Sequence, residues 1–551
     1  MNFPMLKKIY LLVVLTIFLF ASCSNPYPEE KNKTVFRYNE SAGISSLDPA
    51  FARDQANIWA CNQIYNGLVQ LDDSLHVKPA IATSWDISPD GKNYIFHLRN
   101  DVSFHNHERF EGGKGRKVRA TDFVYSLQRV LDEKTLSPGA QWLNTILEKD
   151  TKGKYFIQAF DDTTLVIKLK QAFSPFLGRL SMPYFSVIPK EVAEFYGKDF
   201  SRHPVGTGPF CFKLWKEGVK LVLLKNPDYF EKENGQNLPY LDAVSISFII
   251  DKQSVFLEFV KGNIDFISGL DASYKDELLN PDGKIKSKYQ NKFTQLTSPY
   301  LNTEYLGILI PDKNSKEEKI SPLAKVQIRK AINYGFDRKK MIQYLRNNIG
   351  EAGIHGFVPT GMPGFGNNRT QGYDFQPDSV RKLLAEAGFP NGKGLPPIIL
   401  STTASYLDLC KYIQQQLGLF GIPVEVETNQ AAALRTMIAQ SKIPFFRASW
   451  IGDYADPENY LSLFYSQNKS PKGSNTTHFD KPIFDKLYEK ALFETNDSIR
   501  LLYQHQMDQM VMNEAPVVIL FYDQVLRFTQ KNVQNLGCNA MNLLSLKRVK
   551  K

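Results

Sequence analysis

Alternating apolar and polar positions predict strands in several parts of the chain. In residues 93–100 (NYIFHLRN), Tyr94, Phe96 and Leu98 share one face, which is typical of a half-buried strand. Residues 218–230 (GVKLVLLKNPDYF) predict another strand, which ends at the turn sequence Asn-Pro-Asp. Strands and helices follow one another without a regular β–α–β rhythm, so the pattern favours an α/β architecture of mixed sheets.

Apolar residues at helical spacing predict two clear helices. In residues 119–133 (RATDFVYSLQRVLDE) the apolar stripe begins just after Thr121, which is the predicted N-cap. Residues 376–390 (QPDSVRKLLAEAGFP) predict a helix that starts near Pro377 and is terminated at Gly388.

The first residues have the pattern of an export signal. Two lysines precede an apolar run, residues 9–20, which is followed by Ala-Ser-Cys. As a helix this run is about 18 Å long, too short for a hydrocarbon core of about 30 Å. Residues 1–22 are therefore predicted to be a signal peptide. LFASC resembles a lipobox, which implies lipidation of Cys23 and a tether over residues 23–33, with an ordinary signal peptide as the alternative.

Composition excludes several classes of partner. The chain of 551 residues has a net charge of +10, but its lysines form no basic stripe, so no nucleic acid partner is expected for an exported protein. The other four cysteines form no C-x-x-C pair, their disulfide state is left open, and no zinc site is predicted; they are Cys61, Cys211, Cys410 and Cys538.

No motif of an enzyme was found. The sequence has no G-x-x-x-x-G-K-[ST] phosphate loop, no G-x-S-x-G nucleophile elbow and no H-E-x-x-H helix. His105 and His107 could share a strand face, but a third metal ligand is not evident. We therefore expect a protein that is not an enzyme and needs no cofactor or metal, with an exported hydrolase as a remote alternative.

One short segment carries two opposite charges. In RASWIGD, an extended chain places Arg447, Ser449, Ile451 and Asp453 on one face and Trp450 on the other. The two charges would start about 20 Å apart, and the arginine side chain would shorten that separation. By itself this pattern is also that of a strand ending in a turn.

Six segments in succession resemble the signature blocks of the family 5 solute-binding proteins of ABC importers, and within that family the oligopeptide-binding branch. They are residues 64–105, 117–143, 203–218, 224–230, 327–342 and 383–394. The resemblance implies a clamshell of the periplasmic-binding-protein type (class II), with two lobes of mixed sheets and an extra inserted domain.

The same resemblance implies how the chain is divided. The first lobe would comprise residues 34–66, 190–295 and 518–551. The inserted domain would be 67–189, and the opposing lobe 296–517. Closure would turn on the crossings near residues 295 and 518.

It also implies roles for the charged segment. Asp453 would pair with the α-ammonium of a peptide and Arg447 could meet its carboxylate, while Trp450 would line a side-chain pocket. The backbone around Ser449 and Ile451 could pair with the peptide main chain. Further contacts implied by the resemblance are Arg53, Asp54 and Gln55, which would contact the ligand in a strand-like manner from the first lobe, together with Tyr125, Ser268 and Gly269.

The function implied is that of a lipid-anchored receptor, a monomer on the outer face of a bacterial membrane. It would capture oligopeptides and deliver them to an ABC permease with its ATPase subunits. Two alternatives stay open. One is the same transport role with a nickel chelate, haem, opine or oligosaccharide, and the other is a peptide-sensing surface receptor without a permease.

Overall fold

The computed structural model describes residues 33–271, 273–313, 315–316, 320–366 and 370–551. The predicted signal peptide, the lipidation of Cys23 and the tether up to residue 32 lie outside the described residues. Within the described part of the chain, no helix is both long and apolar enough to cross a bilayer.

The strands are short except for two. They are β1 (Val35–Asn39), β2 (Val69–Leu71), β3 (Val77–Pro79), β4 (Ala82–Ile87), β5 (Asn93–Leu98), β6 (Ile157–Ala159), β7 (Thr164–Lys168), β8 (Phe210–Lys216), β9 (Lys220–Lys225), β10 (Lys232–Glu233), β11 (Gln236–Asn237), β12 (Ala243–Ser247), β13 (Phe266–Ser268), β14 (Phe293–Ile308), β15 (Glu351–Ala352), β16 (Ile398–Thr402), β17 (Val424–Thr428), β18 (Phe445–Ile451) and β19 (Val517–Gln530).

The helices range from single turns to five turns. They are α1 (Gln55–Ile64), α2 (Ala120–Leu131), α3 (Phe176–Leu180), α4 (Lys190–Tyr196), α5 (Lys252–Val260), α6 (Lys275–Leu278), α7 (Ser287–Gln290), α8 (Val326–Tyr334), α9 (Arg338–Arg346), α10 (Pro377–Glu386), α11 (Leu407–Gly418), α12 (Ala431–Ala439), α13 (Glu458–Leu461), α14 (Pro482–Phe493) and α15 (Asp497–Glu514).

The long strands β14 and β19 pair antiparallel at the centre of an eleven-stranded sheet. Its order is β17-β16-β18-β14-β19-β13-β1-β12-β9-β8, and β15 also pairs with β19. Residues 293–299 of β14 pair with residues 524–530 of β19, and residues 303–307 pair with residues 517–522. The ladder is interrupted between Pro299 and Thr303. The two strands therefore run through both halves of the molecule, and their interruption lies a few residues from the predicted crossings.

A separate antiparallel sheet, in the order β4-β5-β7-β6, lies within the predicted inserted domain. Phe176 of α3 packs edge-on against Tyr94 of β5, with ring centroids 4.7 Å apart, so α3 belongs to this unit. The names first lobe, inserted domain and opposing lobe are kept for the predicted parts, whose bounds stay predictions.

The four strands and helices singled out from the sequence form nearly as expected. Their observed bounds are those of β5, β9, α2 and α10. Gly388 follows α10 with a φ of +88°, a conformation that glycine adopts at low cost. Cys61, Cys211, Cys410 and Cys538 are free thiols.

The predicted N-cap of α2 is wrong. The N-cap is Arg119, whose backbone N–H donates to Asp122 Oδ2 at 2.8 Å, and Thr121 lies inside the first turn. Arg116 holds the same carboxylate at 2.7 Å. A carboxylate fixed by an arginine satisfies the start of the helix, so the threonine hydroxyl is not needed there.

A buried arginine fastens α9 to β19. Arg338 is almost fully buried, and it donates to the backbone carbonyls of Ile519 (2.6 Å) and Asn333 (2.8 Å) and to Asn333 Oδ1 (3.2 Å). The Ile519 carbonyl lies beside a second irregularity of the β14–β19 ladder, between Glu304 and Tyr305. Burial lowers the pKa of Arg338 to about 10, so the guanidinium stays charged at neutral pH.

Replacing Arg338 by methionine should destabilise the fold. Methionine fills similar space, but the carbonyls of Ile519 and Asn333 would lose buried donors, at a cost of about 2–4 kcal/mol in the free energy of unfolding. Urea denaturation measures this change. The exposed Arg381→Met variant should stay within about 0.5 kcal/mol of the wild type, and equal losses in both variants would contradict the assignment.

Candidate ligand-binding site

Strand β18 places its side chains on two different surfaces. Ala448 and Trp450 pack against the core of the opposing lobe, whereas Ile451, on the other face, is 49% exposed. The strand ends at Ile451, so Asp453 stands two residues beyond the strand rather than on it.

One edge of β18 is open next to these residues. The backbone N–H of Gly452 donates to the carbonyl of Leu301 at 2.8 Å, at the end of the ladder between β18 and β14. Because hydrogen-bonding direction alternates along an antiparallel pair, the backbone groups of Ser449 and Ile451 face the other edge. On that edge β16 pairs with β18 only at Phe446. Among the described residues, Ser449 and Ile451 therefore have no strand partner there.

Asn459 fixes the segment that carries Asp453. The indole N–H of Trp450 donates to Asn459 Oδ1 at 2.9 Å, and the backbone N–H of Asp453 donates to the same oxygen at 3.3 Å. Since that oxygen accepts two N–H groups, the amide NH₂ must face the carboxylate of Asp453, to which it donates at 3.4 Å. Trp450 thus positions the anion through Asn459.

Asp453 is an anion without a cation. In the part of the chain that the structure describes, no lysine, arginine or histidine forms an ion pair with it. Its side chain opens to solvent, yet the surrounding protein raises the pKa of Asp453 by desolvation, an effect that Asn459 and Arg179 partly offset. An under-compensated carboxylate in such surroundings favours a cationic ligand group.

The charge of Asp453 acts on Tyr184, a residue of the predicted inserted domain. Burial, together with the charges of Asp453 and Asp54, raises the pKa of Tyr184 to about 12, and Arg53 opposes that rise. Asp453, Arg53 and Asp54 therefore all lie within electrostatic range of the Tyr184 hydroxyl. Asp54 has a structural role as well, because it caps α1 by accepting from the backbone N–H of Asn57 at 3.0 Å.

The start of α1 fixes the backbone of Asp54 and Gln55, two of the residues predicted to contact a ligand in a strand-like manner. Asp54 has extended backbone angles, but Gln55 is already the first residue of α1. Arg53, Asp54 and Gln55 all have exposed side chains. Their contacts with a ligand stay predictions.

Arg447 is held inside the opposing lobe. Its guanidinium pairs with the buried Glu304 and lies 3.1 Å from the ring centroid of Tyr406. Burial raises the pKa of Glu304, and Arg447 opposes that effect. Arg447 Nη1 has no recorded acceptor among the described residues, so this N–H group is the part of Arg447 that a ligand carboxylate could use.

The remaining predicted residues lie apart from the Asp453 group. Tyr125 is half-buried on α2 and packs against the core that the inserted domain shares with the first lobe. Burial raises the pKa of Tyr125, and Arg129 opposes that rise. Ser268 ends β13 opposite Arg527 of β19, and the exposed Gly269 donates its N–H to the carbonyl of Leu526 at 2.8 Å.

Sequence reasoning missed Asn459, Tyr184 and Glu304. Asn459 follows Asp453 by six residues, and an amide side chain so close in sequence to the aspartate was a usable signal. Tyr184 and Glu304 come from distant parts of the chain, so nothing in the motif indicated them. No group of three or more His, Cys, Asp or Glu residues that could hold a metal ion occurs among the described residues.

The comparisons with known proteins agree in family and in fold. The profile of the bacterial extracellular solute-binding proteins, family 5 Middle, matches residues 76–472. Heme-binding protein A of Haemophilus influenzae is 29% identical over 513 residues, covering 89% of this chain and 87% of that protein. The dipeptide-binding protein DppE of Bacillus subtilis is 26% identical over 528 residues, covering 91% and 89%.

A solved structure gives the same result. DppA from Helicobacter pylori, in complex with the peptide STSA, superposes with a TM-score of 0.70 at 26% identity, covering 94% of this chain and 97% of that chain. These findings confirm the fold class expected from the sequence, and they agree with a binding protein rather than an enzyme. The chain belongs to the bacterial extracellular solute-binding proteins of family 5.

Proposed function

We propose that this protein is the lipid-anchored receptor of an ABC importer, and that it captures oligopeptides between its lobes by hinge closure and delivers them to a permease. The observation that carries the proposal is the pairing of two features in one place. Among the residues that the structure describes, Asp453 has no cationic partner and the adjoining strand edge at Ser449 and Ile451 has no strand paired with it. An extended peptide with a free amino terminus complements both.

The amino terminus of the peptide supplies the missing cation. An α-ammonium carries three N–H donors, and Asp453 has a carboxylate oxygen beyond the one that Asn459 contacts. A charge-assisted bond in partly desolvated surroundings is stronger than a neutral hydrogen bond. Asp453 thereby fixes the position and direction of the peptide.

The main chain of the peptide would add to β18. Ser449 and Ile451 offer backbone N–H and C=O groups on the open edge, spaced as in any strand. Bonds to backbone groups are the same for every peptide sequence, so recognition by this edge would be broad. Arg447 Nη1 is the candidate partner for the carboxylate of a peptide of suitable length.

The relatives support this ligand class. DppE is a dipeptide-binding protein, and the DppA structure holds the peptide STSA. The lipid anchor at Cys23 and the permease partner rest on the signal sequence and on the family, whose importers need a receptor and an ATPase-driven permease. The interruption of the β14–β19 ladder at Pro299–Thr303 is the place where we expect the lobes to bend.

Haem is the second candidate ligand, because one relative at 29% identity is a haem-binding protein. Its propionates are anions, and Asp453 would repel them unless they bound near Arg53. Titration with haem, followed by its absorbance, distinguishes the two ligand classes.

Replacing Asp453 by asparagine should abolish the binding of unmodified peptides. The α-ammonium would be desolvated without a counter-charge, a loss of about 3–5 kcal/mol, or on the order of 10²- to 10⁴-fold in Kd. Calorimetry measures this with the chain from residue 24 onward, which is refolded to remove carried ligand and titrated with short peptides including STSA.

Two controls make that loss specific. Asp378→Asn changes a fully exposed carboxylate of the same lobe and should leave Kd unchanged. Peptides acetylated at the amino terminus should bind the wild type as weakly as free peptides bind Asp453→Asn, and the variant should show no further loss with them. Equal binding of free and acetylated peptides would contradict the anchor, and strong binding of haem alone would replace the peptide proposal.

Peptide binding should weaken as the pH falls, and it should do so at a higher pH than expected for an aspartate with an ordinary pKa. Only the ionised carboxylate attracts an ammonium, and burial raises the pKa of Asp453 above its usual value of 3.8. Affinity is therefore full above the raised pKa and falls as pH decreases through it. The measurement is Kd from pH 7 to pH 4, and Asp453→Asn should show no such change over that range; a wild type insensitive to pH would be inconsistent with this prediction.

A further inference from the structure

The side chain of Arg179 joins the inserted domain to the opposing lobe. Arg179 belongs to α3, and its side chain is 10% exposed. On its own side, Nη1 donates to the carbonyl of Trp142 at 3.0 Å, and the guanidinium lies 4.2 Å from the ring centroid of Phe173. On the far side, Nη2 donates to the hydroxyl of Tyr454 at 2.9 Å and lies 3.4 Å from Glu458 Oε2.

Glu458 is held in place by its own lobe. The hydroxyls of Tyr454 and Tyr488 donate to its two carboxylate oxygens. Its backbone N–H donates to Asp456 Oδ1 at 2.9 Å, and Asp456 is in turn paired with Arg500 of α15. Glu458 therefore keeps its position whether or not Arg179 is present.

Arg179 and Glu458 can separate while each keeps partners within its own part of the chain. Arg179 would retain Trp142 and Phe173, and Glu458 would retain its two tyrosines. If the ion pair served only the folding of one unit, the other partners of Arg179 and of Glu458 would lie in the same unit. Here those of Arg179 lie in the inserted domain and those of Glu458 in the opposing lobe. This division is what a contact that opens and closes requires.

We propose that Arg179 and Glu458 form a latch that holds the inserted domain closed against the opposing lobe and so slows release of the ligand, an inference that rests on the proposed clamshell function. Both ions of the latch are buried, with only 10% of the Arg179 side chain and 9% of the Glu458 side chain exposed. Opening must break a buried charge pair and rehydrate both ions.

The latch adjoins the ligand anchor. Glu458 precedes Asn459, the residue that orients Asp453. The positive field of Arg179 reaches Asp453, where it partly offsets the desolvation of that carboxylate. By engaging the guanidinium, Glu458 and Tyr454 keep Arg179 from pairing with Asp453 itself, and the anion is left for the ligand.

A second contact closes the same side of the molecule. The backbone N–H of Ser174 donates to the carbonyl of Leu492 at 3.1 Å, and its hydroxyl donates to the carbonyl of Glu494. Trp142 meets Tyr454 edge-on, with centroids 5.7 Å apart. These contacts also join the two surfaces. Only the ion pair is lost when either Arg179 or Glu458 is replaced.

The test uses the chain from residue 24 onward with Arg179→Met, Glu458→Gln and the double variant Arg179→Met/Glu458→Met. Small-angle X-ray scattering without ligand measures closure, and the dissociation rate of radiolabelled STSA measures release. Each single variant should have a larger radius of gyration than the wild type and release peptide about tenfold faster or more, because one buried ion loses its partner. The double variant should recover part of both effects, since neither charge is then left alone.

Arg202→Met is the matched control, because Arg202 pairs with Glu217 on the exposed surface of the first lobe. It should change the dissociation rate by less than about twofold. Unchanged radius and unchanged release in both single variants would overturn the latch, as would a fall in melting temperature with normal release, which is the behaviour of a purely structural pair. If the wild type binds no peptide, the proposed function fails, and the scattering comparison alone still decides the latch.

Discussion

The antiparallel ladder between β14 and β19 is the interaction on which the placement of every other part depends. One end of the ladder pairs with strands of the first lobe and the other end with strands of the opposing lobe. Both ends are buried in their own cores, and the interruption lies between them. The backbone is therefore rigid where side chains pack and least restrained where hydrogen bonding is interrupted. Arg338 strengthens the opposing-lobe end by binding the carbonyl beside the second irregularity.

Within that frame the charges around the site are almost all neutralised in pairs. Arg447 is matched by Glu304, Arg346 by Asp523 and Arg179 by Glu458. Pairing removes the cost of burying each ion alone. Asp453 has no such ion pair among the described residues, and the polar side chain that contacts it is the neutral amide of Asn459. In the proposed function this uncompensated carboxylate would set the preference of the site for a cationic group.

The sequence predicts the parts of this arrangement that depend on local patterns. Periodicity identified β5, β9, α2 and α10 because apolar side chains repeat with the period of the element. The segment from Arg447 to Asp453 was singled out by its two opposite charges, and its role was implied by the resemblance to peptide binders. The charges of Asp453, Arg53 and Asp54 all act on Tyr184. Thr121 was misassigned because the competing carboxylate of Asp122 is held by Arg116, a tertiary contact. The engagement of Arg447 by Glu304 was missed for the same reason, since 143 residues separate the two.

An open strand edge such as that of β18 carries a risk of aggregation, and its location in the molecule reduces that risk. Unpaired backbone groups on a strand edge bind other strands without regard to sequence, and on an outer surface they promote aggregation. Here the strand ends two residues before Asp453, whose charge acts on Tyr184 of the predicted inserted domain. The edge strands of another folded protein are part of a bulky domain, which would not fit between the two lobes. In the proposed clamshell a single flexible chain would enter between the lobes, and the same confinement would keep the edge from pairing with another copy of the protein.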